Sequence, residues 1–379
     1  MMEEETRGRS GNRIIALFPD LLGVGGIQVA GRLTAAALSQ IAAQYGWIVD
    51  FLSLNDAFGA QMFSSNGEDI HFRGFARSKA RFILAALAAA RKQARVVVAV
   101  HPHLALVAAK MHLVTPRMKI AVISHGVEVW RPLSAARHKA FLKADVLAAP
   151  SRYTIEQIVR LQGVPIGRTR LLPWPLDPDF LKMADKAEVL PSLSGFPQGL
   201  VVLAIARLAS DEKYKGVDHL LQAVAQLAPR IPSLYLVVAA SGDDIPRHRE
   251  IARELGLSDR VRFFQGLSPT EIAGCYSRCD VFALPSTGEG FGLVFLEAMA
   301  FGKPVVGAAA GGVTDIVEHE QNGLLVRPGD LNQLVECLAR LLESASLRAE
   351  FGRCGAAMAR SKFQFAKFRS GLEEIVVEK

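Results

Sequence analysis

Two glutamates eight residues apart, Glu289 and Glu297, bracket a glycine-rich turn in the stretch Glu289-Gly290-Phe291-Gly292-Leu293-Val294-Phe295-Leu296-Glu297. The stretch follows a strand-like run, Val281 to Leu284, and the turn Pro285-Ser286-Thr287-Gly288; Gly292 then opens a helix-like run. Glycines at a strand-to-helix turn let backbone amides come close to a ligand, and the helix start favours negative charge, so a diphosphate is the natural occupant. An ionised carboxylate only accepts hydrogen bonds. Glu289, in the loop, therefore suits the hydroxyls of a sugar, and Glu297, near the second helical turn, those of a ribose.

A second loop carries the complementary charge. The strand-like Leu200 to Ile205 runs into Ala206-Arg207-Leu208, and Lys213-Tyr214-Lys215-Gly216-Val217-Asp218 leads into another helix. Arg207 and Lys215 from one loop can clamp a diphosphate and stabilise it as it departs, because negative charge grows on the leaving oxygen. Lys213 reads as a solvated lysine. Nearer the N-terminus, Gly23-Val24-Gly25-Gly26-Ile27-Gln28 stands between the first strand and a long helix, but Gln28 occupies the place of the last glycine of a dinucleotide fingerprint. Taken alone this is a flexible turn. His125, in His125-Gly126-Val127-Glu128, ends the strand Lys119 to Ser124, at the end where parallel sheets bind ligands. His101 and His103 follow Val96 to Val100 without such company and read as structural.

Positioning these groups requires alternating strands and helices, the pattern of α/β folds with parallel sheets. In the first half, strands are expected at Arg13 to Phe18, Ile48 to Leu52, Val96 to Val100, Lys119 to Ser124 and Val146 to Ala149. Helices are expected between them, among them Ile27 to Tyr45, Ala80 to Lys92 and Arg152 to Gln162. A proline-dense segment, Pro173 to Pro178, and the irregular Ala187 to Gln198 then interrupt the pattern. Alternation resumes with strands at Leu200 to Ile205, Leu234 to Ala239, Val261 to Phe264, Val281 to Leu284 and Pro304 to Gly307, and with helices that include Val217 to Leu227, Gly292 to Phe301, Val313 to Glu318 and Leu331 to Ser344. A chain of 379 residues, 50% hydrophobic, exceeds what one core holds and suffices for two. The expected architecture is two doubly wound, Rossmann-like domains facing each other across a cleft, residues 1–178 and 179–363, with a C-terminal helix at about 364–379 that could return to the first.

Composition narrows the partners. Residues 1–180 carry 22 Lys and Arg against 13 Asp and Glu, the remainder 22 against 24. The basic first half suits an anionic membrane surface or a phosphorylated acceptor; nucleic acid is not expected, because aromatic and basic residues do not interleave. Arg73, Arg77, Lys79, Arg81, Arg91, Lys92 and Arg95 flank the apolar Phe82 to Ala90, which reads equally as a solvated helix face or as an interfacial helix docking on anionic lipid. The acidic opening Met1 to Glu5 is unlike a signal peptide, and no apolar run reaches the ~20 residues of a membrane span. A cytoplasmic protein, peripheral at most on the inner membrane face, is expected. Cys275, Cys279, Cys337 and Cys354 lack a second Cys or His pair for zinc and read as buried free thiols.

The stretch Glu289 to Glu297, the following Ala298-Met299-Ala300-Phe301-Gly302-Lys303-Pro304-Val305-Val306, then Gly311-Gly312-Val313 and Asn322-Gly323-Leu324-Leu325-Val326 together resemble the retaining glycosyltransferases of the fourth family, which have the GT-B fold. A helix end with two solvated glutamates explains Glu297 alone, not this ordered series. The resemblance spans nearly the whole chain. It implies transfer of a hexose-type sugar from GDP-mannose or a UDP-sugar to a lipid-linked or saccharide acceptor, with retention at the anomeric carbon and no separate base. It also implies donor-binding roles for Gly25, Gly26, Arg207, Lys215, Glu289, Gly290, Phe291, Gly292, Leu293 and Glu297, and catalytic roles for His125, Arg207, Lys215 and Glu289.

No cofactor is expected, since the nucleotide sugar is a co-substrate. No metal is expected either: Asp243-Asp244 reads as a turn and no convincing Asp-x-Asp is present. The competing readings are a non-catalytic sugar-nucleotide-binding protein, a GT-B epimerase or phosphorylase, and an NAD-dependent oxidoreductase, the last disfavoured by Gln28.

Overall fold

The computed structural model of this chain describes residues 12–187, 190 and 193–377. Met1 to Glu5 and part of the Ala187 to Gln198 connection lie outside them. The described residues form two compact units, one holding those up to Pro175 and those from Phe365 onward, the other Leu176–Gln364.

The first unit contains β1 (Arg13–Phe18), β2 (Ile48–Ser53), β3 (Gly59–Ser65), β4 (Glu68–Gly74), β5 (Ala94–Ala99), β6 (Lys119–Ile123), β7 (Val146–Ala149) and β8 (Thr169–Leu171). They pair in the order β3-β4-β2-β1-β5-β6-β7-β8, parallel except for the β3–β4 hairpin. The second contains β9 (Leu200–Arg207), β10 (Leu234–Ser241), β11 (Val261–Phe264), β12 (Val281–Leu284), β13 (Val305–Ala308) and β14 (Gly323–Val326), in the order β11-β10-β9-β12-β13-β14. Both are doubly wound α/β sheets, the order reversing between β1 and β5 in one and between β9 and β12 in the other. Helices cover both faces, so central strands such as Val96 to Val100 are almost wholly buried and read as unbroken apolar runs.

Several expectations need correction. The hairpin β3–β4 is not among the expected strands: β3, at the sheet edge, alternates half-buried and exposed residues and β4 buried and exposed ones, and the Asn66-Gly67 turn, with φ of 51° and 77°, is a recognisable hairpin signal. Helices Pro178–Ala184 and Ala345–Lys362 are additional, and Val313 to Glu318 is not a helix but follows from a 3-10 turn, Gly311–Asp315. Three cysteines are buried, but Cys354 is exposed.

The apolar face of the basic stretch packs inside the unit. Phe82, Ala86, Ala89 and Ala90, the apolar face of helix Lys79–Ala90, are buried in the unit's own core with Ile15, Leu17 and Val97. Arg95 turns inward as well, donating to the Val377 carbonyl at 3.1 Å and lying over Trp47. The C-terminal helix Phe365–Val377 belongs to this unit, with Phe368, Leu372 and Ile375 buried and Glu373 accepting from the Tyr45 hydroxyl at 2.6 Å.

Candidate functional site

Three loops of the second unit meet where its strand order reverses, at the C-terminal ends of β9, β12 and β13, the position at which doubly wound sheets bind ligands. The loop from β9 turns at Gly216, whose φ of 73° and whose approach to the Pro285 carbonyl leave no room for a side chain. The preceding Tyr214 lays its ring on Gly288 and accepts the Thr287 amide at 2.9 Å through its carbonyl. Lys215 is thereby carried to the loop from β12, where its Nζ meets Glu289 Oε1 at 2.8 Å and lies 5.1 Å from the Tyr214 ring centroid. Both side chains are largely withdrawn from solvent, 16% and 13% exposed. From β13, the Gly312 amide donates to the Glu289 carbonyl at 2.8 Å and holds the main chain of that residue in place.

Arg207, the last residue of β9, is mostly exposed and bonded to Glu212, which raises its already high pKa further. The two cations expected to act as one clamp are thus each held by a carboxylate of their own. Nothing in the sequence singles out Glu212, which is one of two adjacent acidic residues in a polar loop. Asp243 accepts from the Ser210 amide at 3.0 Å and its hydroxyl at 2.9 Å, tying the β10 loop to the same place. Asp244 is more than turn decoration: it is buried and paired with Arg247, which also binds Asp218 at 2.8 Å, in the first turn after Gly216.

Gly292 precedes helix Leu293–Ala300, which starts without a side-chain cap. Gly290 and Leu293 flank the same turn, partly exposed. The Phe291 ring, by contrast, is buried against Phe363 with centroids 5.7 Å apart, so that residue can offer a ligand only its main chain. Glu297 accepts from the Tyr276 hydroxyl at 2.9 Å. Burial first, and Asp177 in addition, raise its carboxyl to about 7 from an ordinary 4.5, with the Tyr276 bond opposing them.

A carboxyl whose pKa is higher folded than unfolded binds extra proton in the fold. Its contribution is therefore complete at low pH and is lost as pH rises from about 4.5 through 7. The thermal midpoint of Glu297→Gln is accordingly expected to gain on wild type between about pH 5 and pH 8. A pH-independent difference in a melting series would contradict this.

In the first unit, the glycine loop leads into helix Gly26–Tyr45, which likewise starts without a side-chain cap at Gly25. Gln28 folds back, donating to Asp20 at 2.8 Å and filling the space beside Gly25, whereas Gly26 faces open space. His125 is buried to 9% exposure, stacked on Trp174 at 5.3 Å, with Nε2 2.9 Å from the Val100 carbonyl. A carbonyl only accepts, so Nε2 carries the proton and Nδ1 is the acceptor in the neutral ring. His101 lies 5.8 Å from that ring and 4.5 Å from His103, and burial lowers its pKa to about 3. The three histidines thus form one cluster at the ends of β5 and β6, which the spacing of residues 101, 103 and 125 did not reveal. Among the described residues, no group of three or more His, Cys, Asp or Glu is placed to hold a metal ion.

Residues 195–358, which include all three loops of the second unit, match the family model for glycosyl transferases group 1. A D-inositol 3-phosphate glycosyltransferase of Catenulispora acidiphila is 35% identical over 218 residues, 55% of this chain and 50% of that protein. The chain thus spans about half the length of the inositol-phosphate relatives it matches. The GDP-mannose-dependent alpha-(1-6)-phosphatidylinositol monomannoside mannosyltransferase of Mycobacterium tuberculosis is 30% identical over 267 residues, 65% of this chain and 68% of that one. Among solved structures, Anabaena HepE in complex with UDP superposes with a TM-score of 0.71 at 20% identity, covering 96% of this chain and 98% of that one. WaaG, a glycosyltransferase of lipopolysaccharide biosynthesis, gives 0.70 at 18%, covering 97% and 100%. These likenesses agree with two Rossmann-like units of the GT-B class.

Proposed function

The chain belongs to the glycosyl transferases group 1 family, and on that premise we propose that it moves a hexose-type sugar from a nucleoside-diphosphate sugar to a saccharide or lipid-linked acceptor. The observation that carries this reading is the Lys215–Glu289 pair at the strand-order reversal of the second unit. In this role Glu289 accepts from sugar hydroxyls, while Lys215, Arg207 and the uncapped helix start after Gly292 neutralise the diphosphate as it leaves. The bond from the anomeric carbon to the diphosphate breaks, the acceptor oxygen bonds to that carbon on the same face, and the acceptor proton passes to the departing diphosphate oxygen. Configuration is retained, and the cations do the work that a divalent metal would otherwise do.

GDP-mannose and UDP-sugars are the first donors to try, since the mycobacterial relative is named for the former and HepE was solved with UDP. A panel of UDP-, GDP- and ADP-sugars with and without EDTA, read by nucleotide release and by NMR of the anomeric proton, tests the reading. Metal-independent release with retention is expected. Stabilisation by nucleotides without turnover would instead identify a sugar-nucleotide-binding protein.

A lipid-linked acceptor fits a second feature. No Asp or Glu occurs between Asp69 and Glu128, and Arg73, Arg77, Lys79, Arg81, Arg91 and Lys92 are exposed, with no ion pair among the described residues. Leu84 and Phe58 stand exposed among them, Arg81 lying 5.0 Å from the Phe58 ring centroid. The helix's buried face cannot enter lipid, so this reading has the cations hold the folded domain on an anionic membrane, each strengthening binding by about fivefold. No described helix is long and apolar enough to cross a membrane. Replacing Arg73, Arg77, Lys79 and Arg81 by Glu is expected to abolish sedimentation with phosphatidylserine-containing vesicles; unchanged sedimentation would refute the holding of the domain on the membrane by these cations.

A further inference from the structure

We propose that Asp56 is the positioning residue for the glycine loop Gly23 to Gly26, an inference that rests on the functional reading above. The loop after β2 places Asp56 beside the end of β1, with its carboxylate buried at 8% exposure. Its Oδ2 accepts from the Leu21 amide at 2.7 Å and from the Ser53 hydroxyl at 2.5 Å, and Oδ1 accepts from the Leu22 amide at 3.1 Å. The Asp56 carbonyl accepts the Ala76 amide at 2.7 Å, joining the segment that leaves β4 to the same point. From the following helix, Arg32 donates to the carbonyls of Leu21 at 2.7 Å and Gly23 at 3.3 Å.

The start of the loop is therefore fixed by its amides through Asp56 and by its carbonyls through Arg32. Beyond it, the helix begins uncapped, and its first amides remain for a ligand. A buried carboxylate is costly unless it is fully hydrogen-bonded, and an apolar side chain would fill the same space without that cost. Two of the three donors that satisfy this one are main-chain groups of the segment entering the glycine loop; Ser53 only aims the carboxylate at them. The role that accounts for it is the placement of that loop. Asp56 touches no reacting atom and acts through the backbone.

Asp56→Asn keeps the size but replaces one acceptor oxygen by an NH2 that faces one of these donors. Turnover is expected to fall by about tenfold or more, with amide exchange at Leu21 and Leu22 faster by about the same factor, while exchange across β1 and β2 stays near wild type and the thermal midpoint falls by only a few degrees. Ser53→Ala, which leaves the carboxylate in place, is expected to give about a threefold loss and a matching local change. It carries the test if the Asn variant does not fold. The proposal is overturned if the loop amides exchange faster while turnover stays within about threefold of wild type, or if protection is lost throughout β1 and β2 and Ser53→Ala changes neither loop exchange nor turnover. An active wild type with an equally active Asp56→Asn defeats this inference alone. A wild type that turns over no nucleotide sugar defeats the functional reading and this inference with it.

Discussion

Lys215→Met is expected to lower sugar transfer on the order of a hundred- to a thousandfold, the loss typical of removing one preorganised donor from a developing anion. The site concentrates that much effect on one side chain because Lys215 is mostly withdrawn from solvent and its charge acts at reduced screening. Arg207, being mostly exposed and bonded to Glu212, is a weaker substitute. The substitution has a second consequence. Glu289 loses its only ion-pair partner among the described residues and is left as an unpaired, largely buried carboxylate beside the diphosphate that the donor brings in. Nucleotide affinity should therefore fall together with turnover, and Lys215→Arg should recover part of both. Initial rates with a saturating acceptor check this; a variant within about threefold of wild type would remove Lys215 from the mechanism.

Gly312→Ala is expected to have a comparable effect on activity with a smaller one on the fold. A methyl group at that position would lie 2.3 Å from the Gly290 carbonyl oxygen and 2.6 Å from the Phe291 Cα, both main-chain atoms that cannot rotate away. The loop carrying Glu289 must move, and the Gly312 to Glu289 hydrogen bond goes with it. Overpacking of this kind costs about 1–3 kcal/mol, which a domain of this size tolerates. A shift of about 1 Å in a catalytic loop costs on the order of a hundredfold in rate. The expected result is a folded chain with a modestly lower thermal midpoint, nucleotide affinity reduced by about tenfold or more, and transfer near background. Wild-type activity would mean that the approach of the two loops does not set the position of Glu289.

The parts of the fold visible in the sequence are those whose burial is one-sided or complete. Arg13–Phe18, Val146–Ala149, Val261–Phe264 and Val281–Leu284 are strands with the boundaries their apolar runs suggest, and Arg152–Gln162 is the helix its periodicity suggests. At the sheet edge that rule fails for β3, which half-buries Gln61 and exposes Met62 with no regular alternation of polar and apolar residues, so only the Asn66-Gly67 turn and the alternation of β4 mark the hairpin. Helical periodicity also misleads at Val313, where the close approach of Gly312 to the β12 loop forces a tighter turn. For the candidate site, residue type and spacing mark Lys215, Glu289 and the glycines around them, because a glycine turn before a helix has chemical meaning by itself. The partners that define their geometry do not share that property. Tyr214 matters because it lies on Gly288, Glu212 because it holds Arg207, and Asp56 because it reaches amides 34 and 35 residues away. His125 likewise gains partners that the sequence does not show, stacked on Trp174 and beside His101.

The central claim is that the loops at the ends of β9, β12 and β13 form a nucleoside-diphosphate site built around Lys215 and Glu289. Calorimetric titration of the wild-type chain and of Lys215→Met with UDP, GDP, ADP and NAD tests it most directly. The expected result is saturable binding of one nucleoside diphosphate to wild type, weaker by about tenfold or more in the variant, and no binding of NAD. Binding of NAD alone, or nucleoside-diphosphate binding unaffected by the loss of Lys215, would contradict it.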